Sequence, residues 1–401
     1  MLSKMSSSFD VAIVGGCGHV GLPLGLALAD CGLSVALYDV NEAAISVVNG
    51  GQMPFEEPGA LPVLAAVLDA GRITATSERA AIRGAEHVVV VIGTPIDEHL
   101  NPDLNAVTEA IEEIGECLVD GQILVLRSTV YPGVTALVEQ IVARRGLDVD
   151  VAFCPERIAE GKAMTELYEL PQIVASRSPR ALERAEKLFR NLTNQIVYLE
   201  PEEAELAKLF TNVWRYIKFA SANQLYMMAN DFGLDYERIR SALAFDYPRA
   251  ADLPRAGFAA GPCLFKDTMQ LAAFNNNNFQ LGQASVMVNE GLPLYVVARL
   301  EQSVNLSKST VGILGMSFKA ESDDIRSSLS YKLKRILRFK AARVLTHDPY
   351  VRVDPDLLPL EQVVAESDLL IIGSPHSEYR ELRTDTPIVD IWNLREQGVR
   401  I

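Results

Sequence analysis

Short runs of aliphatic residues recur along the first half of the chain, each ending in small or polar residues. Val11-Ala12-Ile13-Val14, Ser34-Val35-Ala36-Leu37-Tyr38, Val88-Val89-Val90-Val91-Ile92, Ile123-Leu124-Val125-Leu126 and Val149-Asp150-Val151-Ala152-Phe153 read as strands. Runs that are apolar rather than alternating belong to strands covered on both faces, as in parallel sheets. Positions 22–29, 104–117, 133–145 and 178–191 read as helices between or after these runs. Strands alternating with helices predict an α/β fold with a doubly wound, Rossmann-like parallel sheet.

The pattern changes near residue 200. Positions 202–231 read as one long helix stopped by Gly233, with Leu206, Leu209, Phe210, Val213 and Ile217 as its core stripe. Lys208, Asn212 and Arg215, at i, i+4 and i+7, share another face of it. The four-Asn run from Asn275 to Asn278 predicts a turn, and a further helix over 284–304 should bend at Gly291 and Pro293. Beyond it Thr310-Val311-Gly312-Ile313-Leu314, 342–345 and 368–372 resume the strand pattern and predict a second, smaller doubly wound domain. The expected division is 1–200, a helical 201–306, and 307–401.

The first strand runs into Gly15-Gly16-Cys17-Gly18-His19-Val20-Gly21 and then a helix. Gly16, Gly18 and Gly21 have the G-x-G-x-x-G spacing that lets a backbone approach a pyrophosphate at a helix N-terminus, with Val20 in the same turn. The second strand ends in Asp39, 18 residues past Gly21. A carboxylate there accepts from ribose hydroxyls and repels a 2′-phosphate, so the cofactor expected is NAD. Ligands of such sheets sit beyond the carboxyl ends of the strands, which puts Thr94, Pro95, Thr129 and Glu156 on the ligand side. The stretch Gly257-Phe258-Ala259-Ala260-Gly261-Pro262-Cys263-Leu264-Phe265-Lys266-Asp267 sets a thiol, an ammonium and a carboxylate within five positions. A nearby cation is one of the few local means of turning a thiol into a nucleophile.

Composition narrows the ligand class. A formal charge of −15 over 401 residues argues against a nucleic-acid partner. The five scattered cysteines contain no Cys-x-x-Cys pair, so neither a disulfide framework nor a metal site is expected. The N-terminal residues carry no apolar signal segment and no run is long enough to span a membrane, so a cytoplasmic protein is expected.

These motifs together resemble the UDP-glucose/GDP-mannose dehydrogenase family. The likeness rests on Gly16-Cys17-Gly18-His19-Val20-Gly21-Leu22-Pro23, Gly93-Thr94-Pro95, Ser128-Thr129-Val130, Cys154-Pro155-Glu156-Arg157-Ile158, Ala207-Lys208-Leu209-Phe210-Thr211-Asn212, Cys263-Leu264-Phe265-Lys266-Asp267 and Gly315-Met316-Ser317-Phe318-Lys319, in the family's order. The resemblance implies a four-electron oxidation of the C6 alcohol of a UDP-sugar to a carboxylate, with two NAD reduced and Cys263 as covalent trap. It implies Lys208 and Asn212 as oxyanion stabilisers, Thr129 and Asp267 among the groups holding the hydroxyl or a water, and Glu156 as base for thioester hydrolysis. Ile158, Glu160, Arg249, Gly261, Lys266 and Lys319 would meet substrate, Arg326 the cofactor, and the chain would form a homodimer through its middle helices. Pro262 departs from the family's thiol loop by removing a backbone N–H. Pro155-Glu156-Arg157-Ile158 resembles the UDP-N-acetylhexosamine branch, whereas Lys266-Asp267 resembles the UDP-glucose or GDP-mannose branch. The competing readings are a two-electron hydroxyacid or 6-phosphogluconate-type dehydrogenase, which leaves Cys263 without a role, and a non-catalytic NAD-binding protein.

Overall fold

The structure is a computed structural model that describes residues 9–93 and 104–401. It divides into two compact units, 1–211 and 212–401, and the division falls inside the helix Pro201–Asp231.

The first unit is built on one eight-stranded sheet: β1 (Phe9–Val14), β2 (Val35–Tyr38), β3 (Ile73–Thr76), β4 (Ala85–Val90), β5 (Ile123–Leu126), β6 (Asp150–Phe153), β7 (Gln172–Ala175) and β8 (Ile196–Leu199). Their spatial order is β3-β2-β1-β4-β5-β6-β7-β8, and every neighbouring pair is parallel except β6 with β7. The first six strands follow the dinucleotide-binding order, which reverses between β1 and β4 and opens a crevice at their carboxyl ends. The expected strands appear here because Val11 to Val14, Val35 to Tyr38 and Ile123 to Leu126 are buried on both faces. The helix Gly21–Asp30 is buried along nearly its whole length; Leu22, Leu24, Leu26 and Leu28 join Val11 and Ile13 in one core. Three strands lacked a clear sequence signal. β3 is a four-residue edge, and β7 and β8 follow an antiparallel step that a repeating strand–helix pattern does not announce.

The second unit carries a four-stranded, all-parallel sheet in the order β10-β9-β11-β12, from β9 (Thr310–Leu314), β10 (Arg343–His347), β11 (Leu369–Ile372) and β12 (Ile388–Val389). Its core is shared with helices that precede it in sequence. Tyr226 of the long helix and Leu292 and Val296 of the helix Gln280–Leu300 pack with Val311, Ile313 and Leu333. The helix Gln280–Leu300 begins earlier than its pattern suggested and runs through Pro293 without ending. Asn276 and Asn277 take left-handed φ values of 52° and 57°, which Asn tolerates better than most residues, so the Asn run is indeed the turn. Phe210 corrects the expected core stripe: it is 52% exposed. Trp214, Leu225 and Met228 extend the exposed apolar face along the same helix, and Phe232 continues it just past the helix end. Among the described residues, no helix is long and apolar enough to cross a membrane.

Asp348, just past β10, closes the second unit's strand edge. Its Oδ2 accepts from the N–H groups of Met316 (2.6 Å) and Ser317 (3.0 Å) and from His376 Nε2 (3.0 Å); Oδ1 accepts from the N–H groups of Tyr350 (2.8 Å) and Val351 (3.0 Å). Burial by itself would raise this carboxyl, but the bonds from His376 and the backbone outweigh it and hold it at about 2. A depressed carboxyl stabilises the fold above the ordinary carboxylate range and loses that contribution as pH falls through about 2. Asp348→Asn is therefore expected to cost about 2 kcal/mol at neutral pH. The gap between the urea midpoints of variant and wild type should shrink between pH 4 and pH 2, and a gap independent of pH would refute the assignment.

Candidate active site

In the first unit the glycine turn shows why it must be glycine. A Cβ on Gly16 would meet Leu37 Cα at 2.7 Å and the Ile13 carbonyl at 2.8 Å, whereas one on Gly18 would meet only the Gly15 carbonyl, at 3.6 Å. Gly16 thus packs the turn closely against β1 and β2, and exposed Gly18 leaves the open side from which a pyrophosphate would approach the N-terminus of the helix Gly21–Asp30. Val20 is the cap residue of that helix. Asp39 is half-buried at the end of β2, and its carboxylate accepts from the N–H groups of Cys17 (2.9 Å) and Asn41 (3.0 Å). Beside it lies a cavity of about 150 Å³ lined by Gly15, Asp39, Ile82, Ile92, Ile114 and Cys117, among others. A narrow apolar slot with a carboxylate at its edge suits an adenosine, so the residues present fit NAD. Thr94 and Pro95, expected to touch the cofactor, lie outside the described residues.

Thr129 is half-buried just past β5, where Ser128 Oγ accepts from the Ile92 N–H at 2.8 Å and ties the ends of β4 and β5 together. Glu156, past β6, is buried and fully engaged. One carboxylate oxygen accepts from the N–H groups of Arg157 (2.7 Å) and Ile158 (3.0 Å), and the other pairs with Arg127. Arg127 is itself fully buried; it also donates to the Cys154 carbonyl and Gln172 Oε1, each at 3.1 Å, and lies 4.7 Å from the Phe189 ring centre. Both carboxylate oxygens are thus committed, one of them to a guanidinium. In this geometry Glu156 holds its loop rather than presenting a free base.

The same loop is clamped further along. Glu166 accepts from the Ala159 N–H at 2.6 Å, and Glu57 accepts from the N–H groups of Gly161 and Ala163, each at 2.8 Å. Ile158 and Glu160 are half-buried on this rigid segment. Sequence reasoning missed Arg127 and Glu57. An arginine inside a strand end and a glutamate in a loop carry no motif of their own, and only the fold brings them under the loop.

On the long helix Lys208 and Asn212 are both buried, one turn apart, whereas Arg215 is exposed and separates from that pair. In the second unit, Cys263 is exposed and caps the N-terminus of the helix Leu264–Phe274. The positive end of a helix dipole favours a thiolate there. Two of the other thiols differ: burial, helped by the Asp39 charge, pushes Cys17 up to about 12, and burial does the same to Cys154. One turn into the thiol helix, Asp267 is fully buried. Its Oδ2 accepts from Asn212 Nδ2 at 2.5 Å, and Oδ1 lies 2.8 Å from Lys266 Nζ in an ion pair whose angle is too poor for a hydrogen bond. Asn212, Lys266 and Asp267 therefore form one set beneath the exposed sulfur.

The thiol loop is held by groups that sequence did not single out. Asn223 clamps Gly257 on both sides, donating to its carbonyl (3.0 Å) and accepting from its N–H (2.9 Å), and Asn289 accepts from Asn223 at 2.9 Å. Phe258 packs edge-on against Trp392, with ring centres 6.2 Å apart. Gly261 has φ of +111°, and a Cβ there would meet the Phe318 ring at 2.8 Å, so this position accepts glycine alone. Lys319, next to Phe318, is half-buried, and Arg326 is gripped by Asp324 through Nε–Oδ2 and Nη2–Oδ2 contacts of 2.8 and 2.6 Å. Arg249 is exposed and donates to the Tyr247 hydroxyl at 3.2 Å.

The chain matches the models of the UDP-glucose/GDP-mannose dehydrogenase family for the NAD binding domain over 9–193, the central domain over 202–291 and the UDP binding domain over 312–397. It is 30% identical over 384 residues to a UDP-N-acetyl-D-mannosamine dehydrogenase of Pyrococcus horikoshii, covering 92% of this chain and 90% of that one. It is 28% identical to an NDP-N-acetyl-D-galactosaminuronic acid dehydrogenase of Ralstonia nicotianae, over 94% and 93% of the two chains. Among solved structures, a UDP-glucose dehydrogenase from Pyrobaculum islandicum superposes with a TM-score of 0.90 at 26% identity, covering 99% of this chain and 98% of that one. With a dinucleotide cradle, a helix-capping thiol and all three domains matched, the chain belongs to the UDP-glucose/GDP-mannose dehydrogenase family and is an NAD-dependent oxidoreductase.

Proposed function

We propose that the protein oxidises the C6 alcohol of a UDP-sugar to the carboxylate in two successive two-electron steps, through a thioester on Cys263. The observation that carries this reading is an exposed thiol capping a helix whose next turn holds the buried Asp267, bonded to Asn212 and paired with Lys266. Bound NAD supplies the hydride acceptor for each step. Gly16, Gly18, Val20, Gly21 and Asp39 hold it in the first unit, and Thr94, Pro95, Thr129 and Arg326 are assigned to the same ligand.

In this mechanism Thr129, Lys208, Asn212 and Asp267 hold the hydroxyl or a water that takes its proton. The sulfur of Cys263 adds to the aldehyde carbon, which keeps it from leaving, and the resulting hemithioacetal is oxidised to the thioester. Lys208 and Asn212 offset the negative charge on oxygen as the carbonyl becomes tetrahedral. Water then cleaves the C–S bond and returns the thiol, so one water enters and four electrons leave per sugar. The clamped carboxylate of Glu156 keeps Ile158 and Glu160 in place for the sugar, while Gly261, Lys266 and Lys319 meet the substrate. The sugar class we favour is a UDP-N-acetylhexosamine, on the names of the relatives at 28–30% identity, with UDP-glucose second. The cytoplasm, with its reducing thiols, is the compartment this chemistry implies.

The exposed apolar face of the long helix, with Met287 and Leu294 on the helix Gln280–Leu300, supports a homodimer. Arg249 is our candidate to reach the partner's site; light scattering that reads a single chain would remove this part.

The test is a panel of UDP-glucose, UDP-N-acetylglucosamine, UDP-N-acetylmannosamine, UDP-galactose and GDP-mannose, with NADH counted against uronate. Two NADH per sugar on a UDP-N-acetylhexosamine is the expected result. One NADH per sugar would sink the thioester route in favour of the two-electron reading.

A further inference from the structure

The two α/β domains each end their second strand in an aspartate, and the two aspartates are used differently. Asp39 is half-buried and its carboxylate accepts from the N–H groups of Cys17 and Asn41. Asp348 follows β10, is only 4% exposed, and has all its acceptor capacity taken by four backbone N–H groups and His376. The acid that reads a ribose in the first domain is consumed internally in the second.

What Asp348 binds instead is the segment 316–319. His376 is fully buried, and its Nδ1 accepts from the Glu321 N–H at 2.9 Å. The ring is thereby fixed as the tautomer that donates from Nε2 to Asp348, with Ser317 Oγ 3.2 Å from the same nitrogen. Ser317 Oγ also donates to the Lys319 carbonyl at 2.6 Å. Glu321, at a left-handed φ of 54°, accepts from the Ser377 N–H at 2.7 Å and pairs with the Tyr350 hydroxyl. Lys319 thus rides on a loop bonded at Met316, Ser317 and Glu321 to the ends of two strands. Its neighbour Phe318 abuts Gly261 of the thiol loop.

We propose that His376, acting through Asp348 and Ser317, is a positioning residue that sets the 316–319 loop so that Lys319 can meet the UDP moiety. This rests on the reading of Lys319 as a substrate contact. A histidine that merely filled the core would need no such pair of bonds to a loop carrying an ammonium.

The test is a double-mutant cycle on the full-length protein, read by UDP affinity in calorimetry and by steady-state kinetics on the sugar the panel selects. Lys319→Ala and His376→Leu should each weaken UDP binding and raise KM for the sugar about tenfold, with kcat and KM for NAD within about twofold. The double variant should be no worse than Lys319→Ala alone, and His376→Gln, which keeps a donor for Asp348, should recover most of the loss. Losses that multiply in the double variant would overturn the positioning role. An unchanged UDP affinity in Lys319→Ala would overturn the substrate reading of Lys319 and this proposal with it. If His376→Leu does not fold, Ser317→Ala replaces it in the cycle, with the same non-additivity expected and the same additivity fatal.

Discussion

Cys263→Ala should lower uronate formation by at least about a thousandfold, because no other group in the mechanism can hold the aldehyde as a hemithioacetal and carry it on to the thioester. Binding of NAD and of UDP should be unchanged, since the loop's anchors at Asn223, Trp392 and Phe318 do not involve the sulfur. In the proposed mechanism the first oxidation does not need the thiol, so a small yield of aldehyde with one NADH per sugar is the expected residue of activity. Mass spectrometry of the product distinguishes this from general damage. Cys17 and Cys154, pushed up to about 12 by burial, cannot substitute as nucleophiles at neutral pH. Uronate formed by the alanine variant at a rate near wild type would end the thioester mechanism.

Much of this molecule was readable because its fold repeats a simple rule. Buried parallel strands must be apolar throughout, so the strands at Val11, Val35, Ile123 and Thr310 announced themselves, and the glycine turn after the first could be placed in its strand–helix setting. The spacing of Lys208 and Asn212 along one helix and of Cys263 and Asp267 along another was legible in the chain, and the structure joins Asn212 to Asp267. Residues that act by supporting others were not. Arg127, Glu57, Asn223, Asp348 and His376 lie in ordinary sequence and matter because the fold sets them beneath a loop. Glu156 shows the same limit from the other side. Its residue type and strand-end position fit a base, and no motif announced the guanidinium that the fold sets against its carboxylate. The misread Phe210 has another cause: helical spacing reports an apolar face, not what covers it, and that face is open in a single chain.

Asp267 should matter for rate second only to the thiol, and the expected signature is separable from stability. Asp267→Asn keeps the shape of the side chain and removes its charge. Asn212 then faces an amide in place of the carboxylate oxygen it now donates to at 2.5 Å, and Lys266 loses its buried counter-charge. The orientation of Asn212 is what would present its amide to a developing oxyanion, so kcat should fall about a hundredfold or more, with KM changed little. Lys266 keeps some solvent access, with 17% of its side chain exposed, so it can turn outward and the fold should lose less than the 3–5 kcal/mol typical of a fully buried pair broken on one side. Asn212→Ala should lower kcat comparably, and combining the two substitutions should add little, because each already breaks the same bond. Thermal melts run beside the kinetics decide between the roles. A variant that melts early but turns over at the wild-type rate would make the Asn212–Asp267 bond a purely structural feature of the thiol helix, and the oxyanion would then have to be stabilised by Lys208 alone.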